Sequence, residues 1–132
     1  MILIFGGVYQ GKLDYALSRF ELTEDDVAFC IESCAISPER KKIVYNVDKW
    51  ILALLRAEEN IAKHAQKFIE NNHDSIVICN DISCGIVPQD PILRRWREEV
   101  GRFMGMLAQH SDEVIRLYCG IPTILKGENQ HV

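Results

Sequence analysis

The feature that most constrains the fold is the N-terminal stretch, where an apolar run leads directly into a glycine-rich loop that ends in lysine. Residues 1–5 read M-I-L-I-F, which indicates a strand buried on both faces of a parallel sheet. Gly6, four intervening residues and then Gly11-Lys12 reproduce most of the phosphate-binding pattern G-x-x-x-x-G-K-[ST]. In this pattern the glycines turn backbone N–H groups toward a polyphosphate, and the following helix adds its positive N-terminus. We therefore expect a nucleotide-phosphate site at this loop.

The residues expected to bind the phosphates all belong to this loop and to the start of the next helix. They are Gly6, Gly7, Gln10, Gly11, Lys12 and Leu13. Lys12 would reach the terminal phosphates as a point charge, whereas Gln10 and Leu13 would contribute backbone N–H groups. Leu13 stands where the pattern has Ser or Thr, whose hydroxyl ligates Mg²⁺. The alternative is a glycine-rich turn that only packs a strand against a helix.

Composition and charge limit the class of protein. A chain of 132 residues with 26% charged residues is expected to form one domain, residues 1–132. A formal net charge of −4 gives no support for nucleic-acid binding. No apolar run approaches the length of about 18 residues that a membrane span requires, so we expect a cytoplasmic protein without a membrane partner. The 5 cysteines form no C-x-x-C pair and are expected to be reduced, with a zinc site formed by Cys30, Cys34 and a histidine as a minor alternative.

Strand and helix patterns alternate along the rest of the chain. Further strands are predicted at residues 27–30, 42–47, 75–79 and 113–118, with an edge piece at 119–125, and helices at 12–20, 48–70 and 91–110. This alternation predicts an α/β, P-loop-type three-layer fold, with a mostly parallel sheet of about five strands and helices on both faces. Residues 1–5 and 75–79 are apolar without alternation and are therefore expected at the centre of the sheet.

Two acidic residues follow predicted strands. Asp81 comes directly after the central strand 75–79, at the edge where open α/β sheets bind ligands. It is the candidate catalytic carboxylate and the candidate Mg²⁺ ligand, directly or through water. The alternative is that Asn80 and Asp81 only cap a turn. Asp48 is a second candidate near the same edge, for which capping the following helix is the favoured interpretation.

The C-terminal half carries a family resemblance. The runs C-N-D-I-S-C-G-I-V-P and R-R-W-R-E-E-V-G-R resemble a signature of the adenosylcobinamide kinase/adenosylcobinamide-phosphate guanylyltransferase family of cobalamin biosynthesis. That signature reads approximately N-E-V-G-x-G-I-V-P and then R-x-F-R-D-x-x-G-R. The matching residues are Asn80, Asp81, Gly85-Ile86-Val87-Pro88, Arg94, Trp96-Arg97, Gly101-Arg102, Asp112-Glu113-Val114, Gly120 and Lys126. The N-terminal strand and loop are similar to the start of the same family.

The resemblance implies a transferase built on a P-loop domain and assembled as a homotrimer. It implies that ATP or GTP, with Mg²⁺, phosphorylates the aminopropanol hydroxyl of adenosylcobinamide. A histidine downstream of the second strand then takes GMP from GTP and passes it to the cobinamide phosphate. Nucleotide and corrinoid would therefore be the ligands.

Three departures from the family pattern fall on this chemistry. Leu13 replaces the Mg²⁺-ligating hydroxyl, Tyr45 replaces the acid that ends the third strand, and residues 31–41 contain no histidine. We therefore expect a nucleotide-binding protein that has lost guanylyl transfer, with kinase activity left open by the survival of Lys12 and Asp81. The alternative is a non-catalytic subunit that binds a nucleotide or a corrinoid and has a regulatory role.

Overall fold

The elements alternate along the chain as the sequence predicts. The structure is a computed structural model that describes residues 1–82 and 89–127. Its strands are β1 (Ile2–Gly6), β2 (Val27–Phe29), β3 (Ile43–Tyr45), β4 (Ile76–Asn80), β5 (Glu113–Tyr118) and β6 (Ile121–Lys126). Its helices are α1 (Lys12–Arg19), α2 (Val47–Arg56), α3 (Ile61–Asn71) and α4 (Pro91–His110). The α/β fold class is confirmed.

The strands form one sheet in the order β2-β3-β4-β1-β5-β6. All neighbouring pairs are parallel except β5 and β6, which form an antiparallel hairpin. The predicted central position of β1 and β4 is confirmed, and every residue of β4 is buried. The predicted edge piece is the sixth strand. Because β1, β3 and β4 are parallel, their carboxyl ends meet at one edge of the sheet.

Both faces of the sheet are covered by helices. On one face, Leu3, Val44 and Val77 pack with α2, α3 and α4 around an aromatic cluster of Trp50, Phe68 and Phe103. On the other face, Ile4 and Ile78 pack with Ala16 of α1. Successive residues of a strand thus point to opposite faces of the sheet, and both faces are buried under helices. The result is the three-layer arrangement.

The helix predicted over residues 48–70 is two helices. The first, α2, ends at Arg56, and Glu58 takes a left-handed conformation with φ of 55°. Asn60 then caps α3, because its side-chain oxygen accepts a hydrogen bond of 3.1 Å from the backbone N–H of Lys63. The continuous prediction was wrong because the break contains neither glycine nor proline, the residues that most often mark one.

Within the two described ranges, the structure has no helix that is long and apolar enough to cross a membrane.

Candidate phosphate-binding site

The loop between β1 and α1 depends on glycine at both of its ends. Gly6 has φ of 155°, and a Cβ atom at this position would lie 2.4 Å from the carbonyl oxygen of Leu117. Gly11 has φ of 81° and is the N-cap of α1. Only glycine adopts such backbone conformations without strain. The spacing of Gly6 and Gly11 in the sequence is therefore a requirement of the loop.

Lys12 is the first residue of α1 and is buried, with 4% of its surface exposed. Its Nζ donates a hydrogen bond of 2.6 Å to the carbonyl oxygen of Gly7, so the side chain runs back along the loop. Burial lowers the pKa of Lys12, and the carboxylate of Asp48 partly opposes this effect. The loop thus encloses the positive charge of Lys12, which the neighbouring protein groups balance only in part.

The turn between β5 and β6 supports the loop from the side. The backbone N–H of Cys119 donates to the side-chain oxygen of Gln10, and the backbone N–H of Gly120 donates to the carbonyl oxygen of Gln10 at 3.2 Å. The side chain of Gln10 therefore has a structural role, where the sequence analysis gave it only a backbone contribution. No local pattern could have found this contact, since the partners are more than 100 residues apart in the chain.

A cavity of about 580 Å³ lies beside the loop, at the carboxyl edge of the sheet. It is lined by the loop and α1, by the region from β3 to the start of α2, by the end of β4 and by α4: Val8, Tyr9, Gln10, Gly11, Lys12, Leu13, Asp14, Tyr45, Asn46, Asp48, Lys49, Asn80, Ile82 and Trp96. Its volume lies within the range of about 300–1,000 Å³ of small-molecule sites. Four of the six predicted phosphate-binding residues line it, from Gln10 to Leu13, and Gly6 and Gly7 form the first part of the same loop.

Asp48 does not cap the helix, so the favoured interpretation was wrong. The N-cap of α2 is Asn46, and Asp48 lies inside the first turn with 2% of its surface exposed. Its two carboxylate oxygens accept hydrogen bonds from the backbone N–H of Asn80 at 3.1 Å and from its side-chain amide at 3.2 Å. Burial raises the pKa of Asp48, and these two hydrogen bonds oppose the rise. The partner comes from a neighbouring strand, which rules of local helix capping do not consider.

Asp81 follows β4 as predicted, and its backbone N–H donates a hydrogen bond of 2.8 Å to the carbonyl oxygen of Gly6. The end of β4 is therefore tied to the start of the loop. Asn80 and Ile82 line the cavity, whereas Asp81 between them does not. This is the alternation expected of extended chain. The carboxylates that do line it among the described residues are Asp14 and Asp48.

The two tryptophans have structural contacts. The indole N–H of Trp96 donates a hydrogen bond of 2.7 Å to the carbonyl oxygen of Asp48, which joins α4 to the start of α2. Trp50 is buried, and its indole N–H donates to the carbonyl oxygen of Ala35. Tyr9, in contrast, is 99% exposed at the rim of the cavity.

Several predicted features lie elsewhere. The G-I-V-P block, Gly85 to Pro88, lies outside the described residues. His64, His73 and His110 contact Glu59, Glu70 and Met106, and none of them lines the cavity. Among residues 1–82 and 89–127, no three His, Cys, Asp or Glu side chains form a group that could hold a metal ion. The minor alternative of a zinc site at Cys30 and Cys34 has no such group to support it.

Comparison with known proteins identifies the family. Residues 40–125 match the family described as cobinamide kinase / cobinamide phosphate guanyltransferase. A search of curated proteins finds no match. The family match begins after the glycine-rich loop, so a phosphate site at this loop is supported by its sequence pattern and its geometry and not by the match. Since the match covers well over half of the 132 residues, the chain belongs to the cobinamide kinase / cobinamide phosphate guanyltransferase family, whose members are nucleotide-binding proteins of cobalamin biosynthesis.

Proposed function

We propose that this chain binds the polyphosphate of ATP or GTP on residues 6–13 and acts as a kinase-type member of its family. The observation that carries the proposal is Lys12, a buried cation at the N-terminus of α1 that borders a cavity of about 580 Å³. Backbone N–H groups at a helix N-terminus and a lysine beside them are the elements that hold phosphates in P-loop proteins. The base and sugar of the nucleotide would occupy the remainder of the cavity.

Phosphoryl transfer depends mainly on positioning and on neutralisation of charge. In this chain Lys12 and the loop amides would supply the positive charge around the transferred group. The hydroxyl of adenosylcobinamide is the acceptor that the family implies. Gly6, Gly7, Gln10, Gly11 and Leu13 would bind through the backbone, with the side chain of Gln10 fixing the loop against the β5–β6 turn.

When Mg²⁺ is bound, the chemistry it would supply is neutralisation of charge on the transferred group. Mg²⁺ in such sites is commonly held by one or two carboxylates together with phosphates and water. The cavity fits this requirement through Asp48, and Asp81 is the carboxylate that the family signature favours. Leu13 offers no lone pair, so this chain would hold the ion with fewer protein contacts than an intact P-loop.

Guanylyl transfer is the activity that we propose is absent. Residues 31–41 contain no histidine, and none of the described histidines lines the cavity. We also propose that the protein is a cytoplasmic homo-oligomer, by family resemblance a trimer, with a corrinoid as its second ligand. The second candidate function is a non-catalytic nucleotide- or corrinoid-binding subunit. Leu13 and Tyr45 favour it, because they replace the Mg²⁺-ligating hydroxyl and the acid of the family pattern.

Isothermal titration with ATP and with GTP, each with EDTA and with millimolar Mg²⁺, tests the proposal. We expect one nucleotide to bind and Lys12→Ala to remove the binding. A phosphorylation assay with adenosylcobinamide then separates the kinase from the non-catalytic subunit. If neither nucleotide binds under any of these conditions, both the kinase and a nucleotide-binding subunit are contradicted.

A further inference from the structure

Among the residues that the structure describes, one carboxylate in the cavity is both buried and fixed. Asp14 and Asp48 line it, but Asp14 is exposed in the first turn of α1, whereas Asp48 is 2% exposed. The family resemblance places an acid at residue 45, where this chain has Tyr45. Asp48 stands three residues later, in the first turn of α2, and lines the same cavity as Tyr45.

The carboxylate of Asp48 is oriented by Asn80. Each of its oxygens accepts one hydrogen bond from Asn80, at 3.1 Å from the backbone N–H and at 3.2 Å from the side-chain amide. The same amide also donates to the side-chain oxygen of Asn46 at 3.1 Å, which holds Asn80 in turn. A carboxylate has about four lone-pair sites. Because the backbone N–H of Asp48 also donates to this carboxylate, about one site remains for a further ligand. Partners that orient a metal-binding carboxylate in this way are typical of metal sites.

The position of Asp48 relative to Lys12 indicates what that ligand is. Both side chains are buried and both line the cavity, and the charge of Asp48 acts on the lysine. A polyphosphate drawn to Lys12 would bring its own negative charge toward the buried carboxylate. Two negative groups in the same partly enclosed cavity repel each other unless a cation offsets their charge. A divalent cation bound in the cavity would offset this repulsion, and Asp48 would be one of the groups that hold it.

We propose that Asp48, oriented by Asn80, is the carboxylate that holds the nucleotide-bound Mg²⁺ in this chain, directly or through water, in place of the acid absent at Tyr45. The inference rests on the proposed nucleotide binding. It assigns the metal to Asp48 in preference to Asp81, which does not line the cavity.

The test is the ratio of nucleotide Kd in EDTA to nucleotide Kd in millimolar Mg²⁺, measured for four proteins. They are the unmodified chain, Asp48→Asn, Asp81→Asn and Asp14→Asn. We expect a ratio of about ten for the unmodified chain, equivalent to about 1.4 kcal/mol, and a ratio near one for Asp48→Asn. Because Asp48→Asn also removes the repulsion, its affinity in EDTA should equal or exceed that of the unmodified chain. The other two variants should keep the ratio of the unmodified chain.

Binding of Mn²⁺ in the presence of nucleotide, followed by electron paramagnetic resonance, gives a second readout that does not depend on activity. Asp48→Asn should bind Mn²⁺ no better than the free nucleotide does. If Asp48→Asn does not fold in a thermal melt, Asp48→Glu replaces it. This variant keeps the charge and moves the carboxylate by one methylene, so its ratio of Kd in EDTA to Kd in Mg²⁺ should differ from that of the unmodified chain.

The outcomes separate the two proposals. Loss of all nucleotide binding in the unmodified chain refutes the proposed function. If the unmodified chain binds nucleotide with a ratio near one, the role of Asp48 is refuted but the proposed function is not. The same holds if the ratio of the unmodified chain is retained in Asp48→Asn or in a folded Asp48→Glu. A ratio abolished by Asp81→Asn and retained in Asp48→Asn would assign the metal to Asp81.

Discussion

The ammonium group of Lys12 donates a hydrogen bond of 2.6 Å to the carbonyl oxygen of Gly7, five residues earlier in the chain. The lysine therefore spans the loop that it closes, with its charge on the loop side of the cavity. A neutral carbonyl balances a buried positive charge only in part. A bound anion at this position is therefore stabilised more strongly by Lys12 than it would be by an exposed lysine.

Replacement of Lys12 with alanine should weaken ATP or GTP binding by about tenfold to 150-fold for each hydrogen bond that the lysine makes to the phosphates, because each hydrogen bond to a charged group contributes about 1.5–3 kcal/mol. Isothermal titration measures the loss. Lys63→Ala, on the exposed face of α3, is the matched control and should leave the affinity unchanged. Undiminished affinity in a folded Lys12→Ala protein would show that residues 6–13 are not the phosphate site.

Two glycines of this chain should respond in opposite ways to alanine. Gly6→Ala places a Cβ atom 2.4 Å from the carbonyl oxygen of Leu117 at a φ of 155°, so we expect it to lower the free energy of unfolding by more than about 3 kcal/mol. Gly105→Ala, inside α4 with nothing within 4 Å of its Cβ, should stabilise by about 0.5–1 kcal/mol. Urea denaturation compares the two. Equal stability of Gly6→Ala and the unmodified chain would be incompatible with the described loop.

The cysteines should differ in their reactivity with iodoacetamide at pH 8. Burial raises the pKa of Cys30 to about 12 and raises that of the fully buried Cys79 well above its ordinary value. Because the thiolate is the reactive form, both should label slowly in the folded protein. Cys119 is exposed and Cys34 is partly exposed, so these two should label before Cys30 and Cys79. Peptide mapping by mass spectrometry gives the order, and labelling in urea is the control. Rapid labelling of Cys30 in the folded state would contradict its burial.

Sequence patterns predicted the sheet better than the site. The apolar runs of β1 and β4 predicted their central position, because burial on both faces excludes polar alternation. The loop glycines were likewise recognised from their spacing. In contrast, the contacts of Asp48 with Asn80 and of Gln10 with Cys119 join residues that are 32 and 109 positions apart. Such pairings depend on which strands become neighbours, and no local rule of capping or propensity contains that information.

Guanylylation of a histidine should be absent. The acceptor segment of the family has no imidazole here between residues 31 and 41, and His64 is 3.3 Å from Glu59, away from the cavity. Incubation with labelled GTP followed by acid treatment should release no GMP from the protein, with an authentic guanylylated relative as positive control. A stoichiometric, acid-labile adduct on any histidine would contradict this prediction.

Replacement of Leu13 with serine should increase the Mg²⁺ dependence of nucleotide binding. Leu13 is half-buried in α1 and lines the cavity, at the position where the phosphate-binding pattern has a metal-ligating hydroxyl. An isobutyl group offers no lone pair, so Mg²⁺ in the unmodified chain lacks that contact. Lys12 and the loop amides attract polyphosphate without a metal. We therefore expect Mg²⁺ to tighten binding to the unmodified chain by less than about a hundredfold, or about 2.7 kcal/mol.

A serine hydroxyl in the first turn of α1 would supply the metal-ligating oxygen that Leu13 lacks. The ratio of Kd in EDTA to Kd in Mg²⁺ should then rise in Leu13→Ser, while the affinity in EDTA stays nearly unchanged. Leu13→Ala is the matched control, because it removes the same apolar contacts against the sheet without adding an oxygen. If Leu13→Ser and Leu13→Ala have the same ratio, the hydroxyl does not reach the ion. A ratio above about a hundred in the unmodified chain would instead mean that other groups already supply the missing contact.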